Sequence, residues 1–259
     1  VITKRLEKGM ANLLHHNTAS FLHFIELFID GSKQYLDTKN YKYALMLYYA
    51  LFQDRLDKTG FASIYEALEL IHKEMYSYFK QEISEIISYL LAHLQLKTMP
   101  LGEDVLPGLE LYGCYTREEI FTLVGRQTEA RKMQGSVTGV FNLSECNATL
   151  LFVTLNKSNK DFSPSTQYND YLINEHYFHW QSQNTDSHQN NGGQRYTKQA
   201  DTQNKIILFV SEEKKEGYGN TCSFHCFGLV EYMSSHDDFP MNITWKLQQP
   251  AMAQYVKAI

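Results

Sequence analysis

The chain has 259 residues, 43% of them hydrophobic, enough to bury one large core or two of ordinary size. Its formal net charge of −5 argues against a protein held to nucleic acid mainly by general phosphate attraction, and no apolar run approaches the roughly 20 residues that cross a bilayer. Cys114, Cys146, Cys222 and Cys226 are too few and too scattered for a disulfide framework, which fits a cytoplasmic protein.

The opening VITKRLEKGM lacks the basic-then-apolar layout of a signal peptide, and its Val start leads us to expect a piece of a longer polypeptide. From about Thr18 to Lys97 apolar residues recur at intervals of three and four; Tyr41, Ala44, Leu45, Tyr48, Leu51 and Phe52 share one helical face. With breaks at Gly31 and Gly60, the pattern predicts helices over roughly 19–36, 40–57, 61–77 and 79–96. Aromatic residues at helical spacing, such as Tyr41, Tyr48, Phe52, Tyr65, Tyr76, Tyr78 and Phe79, read as core or docking surface before ligand groove. Residues 1–99 therefore read as a helical coupler.

The period changes after Pro107. Thr116 followed by Glu119 is a capping box, so REEIFTLVG is expected to form a short helix ending at Gly125. Runs rich in β-branched and aromatic residues follow, ATLLFVTL, KIILFVS, CSFHCFGLVEYM and MNITWKL, and make residues 100–259 mostly sheet. The polar stretch 184–204, bearing Gly192 and Gly193, is expected to be a long loop. Cys222 and Cys226 flank His225 with no second pair of ligands, so buried thiols are the expectation and no metal is assigned. The chain contains no P-loop, HExxH or GxSxG.

The stretch YNDYLINEHYFHWQSQN, Tyr168 to Asn184, mixes five aromatic rings and two histidines with amides and carboxylates. As a strand, YFHWQS places Tyr177, His179 and Gln181 on one face and Phe178, Trp180 and Ser182 on the other. Such a mixture suits a flat, polar, heteroaromatic ligand such as a nucleobase, with rings to stack on its faces and amides to read its edge. The alternative is that Phe178 and Trp180 fill the core while Gln181 and Gln183 are solvated, and periodicity leaves both open. Upstream, Asn156, Lys157, Ser158, Lys160, Ser163, Ser165 and Thr166 fit phosphate and sugar contacts or an ordinary polar turn.

YTREEIF (115–121), LFVTLNKS (151–158), DFSPSTQYNDYLINEHYFHWQSQN (161–184), GQRY (193–196), ILFVSE (207–212), FGLVEYMS (227–234) and PMNITWKL (240–247) together resemble a domain that closes many bacterial DEAD/DEAH-box helicase-like proteins. The same blocks make the chain similar to the coupler and target-recognition domain of type IV, modification-dependent restriction enzymes of the SauUSI type. The resemblance implies an α+β chain, an N-terminal helical bundle followed over 100–259 by a mostly antiparallel, SRA-like and PUA-related barrel with short helices. It implies binding of double-stranded DNA carrying 5-methylcytosine or 5-hydroxymethylcytosine, with the modified base flipped into a pocket. Eversion costs a few kcal/mol, which stacking at roughly 1–3 kcal/mol per base can offset.

On this reading Trp180 with Tyr168, Tyr171 or Phe178 clamps the base, and Asp170, Gln181 and Gln183 read its edge. The methyl group contributes only about 0.8 kcal/mol by burial, so shape must help discriminate it. Asn156, Lys157, Ser158, Lys160, Ser163, Ser182, Arg195 and Tyr196 would contact the backbone or a groove, Arg195 from the long loop unless it is simply solvated. The resemblance leaves this piece non-catalytic and without a cofactor of its own. It assigns ATP and a divalent metal to upstream helicase and nuclease domains of the same chain, with a homodimer of the parent allowed.

Residues 100–259 carry 13 Lys and Arg against 18 Asp and Glu, a difference of −5, so weak and salt-sensitive non-specific binding is expected. Two other classes stay open. One is an enzyme using Asp170, Glu175 and His179 for acid–base chemistry on a nucleobase; the other is a domain that docks a helicase to partner proteins.

Overall fold

The computed structural model describes residues 2–32, 40–102, 105–133, 138–156, 169–213 and 223–256. The chain forms two compact units, Val1–Ser136 and Val137–Ile259.

In the first unit the helices are α1 (Ile2–Ala11), α2 (Ala19–Ile29), α3 (Tyr41–Phe52), α4 (Leu56–Thr59), α5 (Ile64–Glu69), α6 (Ser77–Ala92) and α7 (Arg117–Leu123). Short strands β1 (Met99–Pro100), β2 (Glu110–Leu111) and β3 (Cys114–Tyr115) lie between α6 and α7. Every residue of α3 from Ala44 to Phe52 is buried, so the helix runs through the core rather than presenting the single face read from its periodicity. Neighbours come close enough for this because Gly9 of α1 has no side chain: a Cβ there would lie 2.5 Å from the Cα of Leu51.

The helices are shorter than periodicity predicts, and their caps explain why. α2 stops at Ile29 because Gly31 turns left-handed at φ 87°, donating to the carbonyl of Phe28. α3 stops where Gln53 does the same at φ 61°, its side-chain amide donating to the carbonyls of Arg5 and Leu51. α5 begins later than expected because Ser63 caps it, accepting from Glu66 N while the Glu66 carboxylate accepts from Ala62 N. The expected helix over 61–77 is α5 followed by two 3₁₀ turns, Leu70–His72 and Glu74–Tyr76. The capping box at Thr116 and Glu119 is present in full. Helix α1, which carries few apolar residues, was not anticipated.

The first compact unit runs on past residue 99 to Ser136, with α7 and the turn after it packed on α3. Lys42 Nζ donates to the carbonyl of Leu123, and Tyr49 Oη donates 2.6 Å to the carbonyl of Thr128.

The second unit is built on strands β4 (Val140–Leu143), β5 (Ala148–Asn156), β6 (Tyr171–Asn174), β7 (Tyr177–Gln181), β8 (Lys205–Glu213), β9 (Phe224–His236) and β10 (Asn242–Leu247), hydrogen-bonded in the order β4-β5-β8-β9-β10-β7-β6. Neighbours are antiparallel except β5 and β8, which pair parallel over Ala148–Thr154 and Lys205–Ser211. A bulge lets Gly228, at φ 79°, face Leu208 while Cys226 faces Phe209. The architecture is thus α+β with a largely antiparallel sheet.

The expected loop over 184–204 holds two helices, α8 (Asn191–Thr197) and α9 (Gln199–Thr202), and the chain's last helix is α10 (Ala253–Val256). The glycine pair that reads as a loop serves close packing instead. A Cβ on Gly192 would lie 2.2 Å from Asp186 Oδ1, and one on Gly193 would lie 2.0 Å from the Ser187 carbonyl oxygen. Asn190 caps α8, its side chain accepting from Gly193 N at 3.0 Å. Among the described residues no helix is long and apolar enough to cross a membrane.

Candidate nucleic-acid interface

Strand β7 alternates as expected, and its two faces meet different surroundings. Phe178, Trp180 and Ser182 point into the core of the second unit. The Trp180 ring, 4% exposed, lies edge-on to Tyr196 of α8 at 5.1 Å and 6.2 Å from Trp245 of β10. Ser182 is fully buried and its hydroxyl accepts from Met241 N at 3.0 Å. Phe178, Trp180, Ser182 and Tyr196 are therefore core residues, and the base clamp expected at Trp180 is not assembled.

The opposite face carries polar groups and rings in two rows across strands. Tyr171 of β6 pairs with His179 of β7, which pairs with Thr244 of β10, which pairs with Ser234 of β9. The Tyr171 ring, 44% exposed, stacks on the His179 ring with centroids 4.6 Å apart and planes 13° from parallel. His179 Nδ1 lies 2.8 Å from the carbonyl of Asn169, an acceptor, so this nitrogen carries the proton and in the neutral ring Nε2 is the acceptor.

The second row is Gln181, Asn242 and His236. The Gln181 amide oxygen accepts from Asn169 N at 2.6 Å, and its Nε2 donates to Asn242 Oδ1 at 3.0 Å. Asn242 Nδ2 in turn donates to Asp237 Oδ2 at 3.0 Å. This chain of amides fixes each donor and acceptor in place, as recognition of a planar ligand requires.

The other expected contacts divide as follows. Asp170 accepts from Gln181 N at 2.9 Å and so caps the end of β7 with at least one oxygen. Gln183 is half-buried in the following turn, where its carbonyl accepts from Asp186 N. Arg195 lies on α8 rather than in a loop. Burial pushes the Asp186 carboxyl and the Tyr196 hydroxyl up, and the nearby Arg195 charge pulls both back. The backbone of Asn156 ends β5; Lys157, Ser158, Lys160, Ser163 and Tyr168 lie outside the described residues. Of the residues of the alternative acid–base set, Glu175 pairs with His176 at 3.3 Å, His179 Nδ1 faces the carbonyl of Asn169, and Asp170 accepts from Gln181 N.

Sequence reasoning missed Asn242, Thr244, Ser234 and His236. The signal was present: in MNITWKL, alternation leaves Asn242, Thr244 and Lys246 together on the face away from Ile243 and Trp245. It also missed the link from Tyr232 Oη to Ser235 Oγ to His188 Nε2, each step 2.7 Å, which Asp238 completes at 2.8 Å from His188 Nδ1. Asp238 also accepts from His188 N, and these bonds hold its carboxyl below the usual range. The chain fastens the turn before α8 to the end of β9.

Beside α9 a cavity of about 420 Å³ is bordered by Gln199, Asn204, Glu231, Tyr232 and Gln248. Gln248 Nε2 donates to Glu231 Oε1 at 3.2 Å.

A family model described as a domain of unknown function, DUF3427, matches residues 109–258. The chain belongs to this family. The DUF3427 segment takes in all of the second unit's described strands and, from the first unit, β2, β3 and α7. No curated protein matches the chain. Among solved structures it is similar to SUVH6 of Arabidopsis thaliana in complex with SAM, at 13% identity and a TM-score of 0.38. That likeness covers 99% of this chain and 41% of SUVH6, so the DUF3427 chain spans less than half of that protein. At this level it carries no argument about function.

Proposed function

We propose that the second unit is a reader of modified DNA, the target-recognition module of a type IV restriction enzyme, binding duplexes that carry 5-methylcytosine or 5-hydroxymethylcytosine. The observation that supports this reading best is the exposed Tyr171 ring stacked on His179 beside the fixed Gln181 and Asn242 amides. Such a face offers a base a ring to stack on and hydrogen-bonding groups at its edge. The seven sequence blocks, six of which fall in the sequence of this unit, support the same reading.

The module itself is non-catalytic on this reading, and ATP hydrolysis and metal-dependent cleavage belong to helicase and nuclease domains elsewhere in the parent.

A docking role has one observation in its favour: Met75, Tyr78 and Tyr89 of the first unit are 76%, 62% and 60% exposed. Fluorescence anisotropy of the 259-residue chain on matched duplexes with and without 5-methylcytosine separates the two. A reader prefers the modified duplex; equal binding to both, or none, overturns the proposal in favour of docking.

A further inference from the structure

The first unit contains a cluster that the DNA-reading proposal does not use. His15 and His16, in the turn between α1 and α2, meet Glu119 in the first turn of α7, 104 residues away along the chain from His15. His15 Nε2 lies 2.8 Å from Glu119 Oε2, and His16 Nε2 lies 3.2 Å from Glu119 Oε1. The donor atoms of all three residues lie within 4.8 Å of one another. The His16 side chain is fully buried, and those of His15 and Glu119 are 16% and 10% exposed.

Hydrogen bonding accounts for only part of this arrangement. Glu119 Oε2 accepts from Thr116 N at 2.8 Å as the return half of the capping box, and a carboxylate oxygen has a lone pair left for His15. His16 is different. Although its Nε2 is close to Oε1, neither of its ring nitrogens makes an aligned hydrogen bond. An imidazole buried in that state costs about 1–3 kcal/mol relative to a satisfied one. A nitrogen close to an oxygen yet not aimed at it is the arrangement expected of two donors that share a third atom between them.

We propose that His15, His16 and Glu119 bind one divalent transition-metal ion, with zinc the best fit, as a structural tie between the α1–α2 turn and α7. Two imidazoles and a carboxylate are a common zinc donor set, bound at about 2.0–2.2 Å, and here the two imidazole nitrogens lie 2.8 and 3.2 Å from the two oxygens of one carboxylate, either of which can serve as the third ligand atom. The surroundings are those of a held site. Thr116 N orients the carboxylate, and the Phe21 ring packs against His16 at 4.6 Å, fixing its plane. Three protein ligands leave a fourth position for water.

The test is to treat the 259-residue chain with chelator and titrate it with Zn²⁺ and Co²⁺, following heat release, thermal midpoint and the visible cobalt spectrum. The expected result is one equivalent bound per chain, a raised Tm, and the intense visible bands of four-coordinate cobalt. Glu119→Gln keeps an acceptor for the capping box but loses the charge, and should weaken binding at least about tenfold, as should His15→Ala. His23→Ala, at an exposed histidine of α2, should change nothing. Absence of uptake by the native chain, or equal affinity in Glu119→Gln and His15→Ala, overturns the proposal; the tryptophan-region and DNA-binding readouts are unaffected by either outcome. His16→Ala serves as a third variant, and its failure to fold leaves the other two decisive.

Discussion

The indole of Trp180 stands edge-on to the phenol of Tyr196, with centroids 5.1 Å apart, and this contact fastens α8 to the sheet. Trp180→Ala should therefore act on stability. A large aromatic removed from a packed core costs about 3–5 kcal/mol, and urea denaturation should show a loss of that order in the second unit. A fully stable variant that had lost only its preference for modified DNA would restore the clamp role to this residue.

Tyr171 should behave in the opposite way. Its ring is 44% exposed on an edge strand, so Tyr171→Ala should cost under about 1 kcal/mol in denaturation. On the proposed reading it loses about 1–3 kcal/mol of binding to a duplex containing 5-methylcytosine, the worth of one stacking contact, measured by anisotropy at fixed salt. Unchanged affinity would remove this face from the interface.

Gly193→Ala should destabilise the second unit by more than about 2 kcal/mol, because the added Cβ would meet the Ser187 carbonyl oxygen at 2.0 Å and the Met241 sulfur at 2.5 Å. Gly31→Ala offers the contrast: nothing lies within 4 Å of its added Cβ, and the cost arises from φ 87° alone, about 1 kcal/mol. Comparing the two midpoints in thermal melts separates collision from backbone strain.

His225 predicts an acid sensitivity of the second unit. Burial lowers its pKa from 6.5 to about 4, while its Nδ1 sits 2.7 Å from Tyr255 Oη. The unfolded chain binds this proton as pH falls below about 6.5, and the folded chain does not until about 4. Stability contributed by the neutral ring is therefore full above pH 6.5, declines as pH falls toward 4, and is constant below, a change of about 3 kcal/mol at most. His225→Gln should flatten this part of the stability profile; a profile unchanged by the substitution would show that another group controls it.

The strands and the capping box of α7 were legible locally, because β-branched runs and the Thr116–Glu119 spacing are decided within a few residues. The face of β7 that turns inward was not decided locally. His179 and Gln181 on one side, Phe178 and Trp180 on the other, each mix rings or apolar bulk with hydrogen-bonding groups or neighbours such as Ser182. The choice comes from Ile243 and Trp245 one strand away and from Tyr196 on a helix, contacts that no window of sequence contains. Helix α8 was hidden for a related reason: Asn191-Gly192-Gly193 carries turn propensities, and only the fit of the glycines against Asp186 and Ser187 makes a helix there worthwhile. The meeting of His15 and His16 with Glu119 spans most of the first unit and leaves no trace in spacing.

The parallel register of β5 with β8 governs how the second unit can assemble. Ala148 meets Lys205 only after β6, β7, α8 and α9 have been laid down between them, so the pairing of β5 with β8 closes a long loop. During synthesis β5 has β4 alone beside it until the chain is some fifty residues longer, by the general link between contact separation and folding speed. The unit should consequently fold late and all at once, and no shortened version ending ahead of β8 should yield a lasting native state.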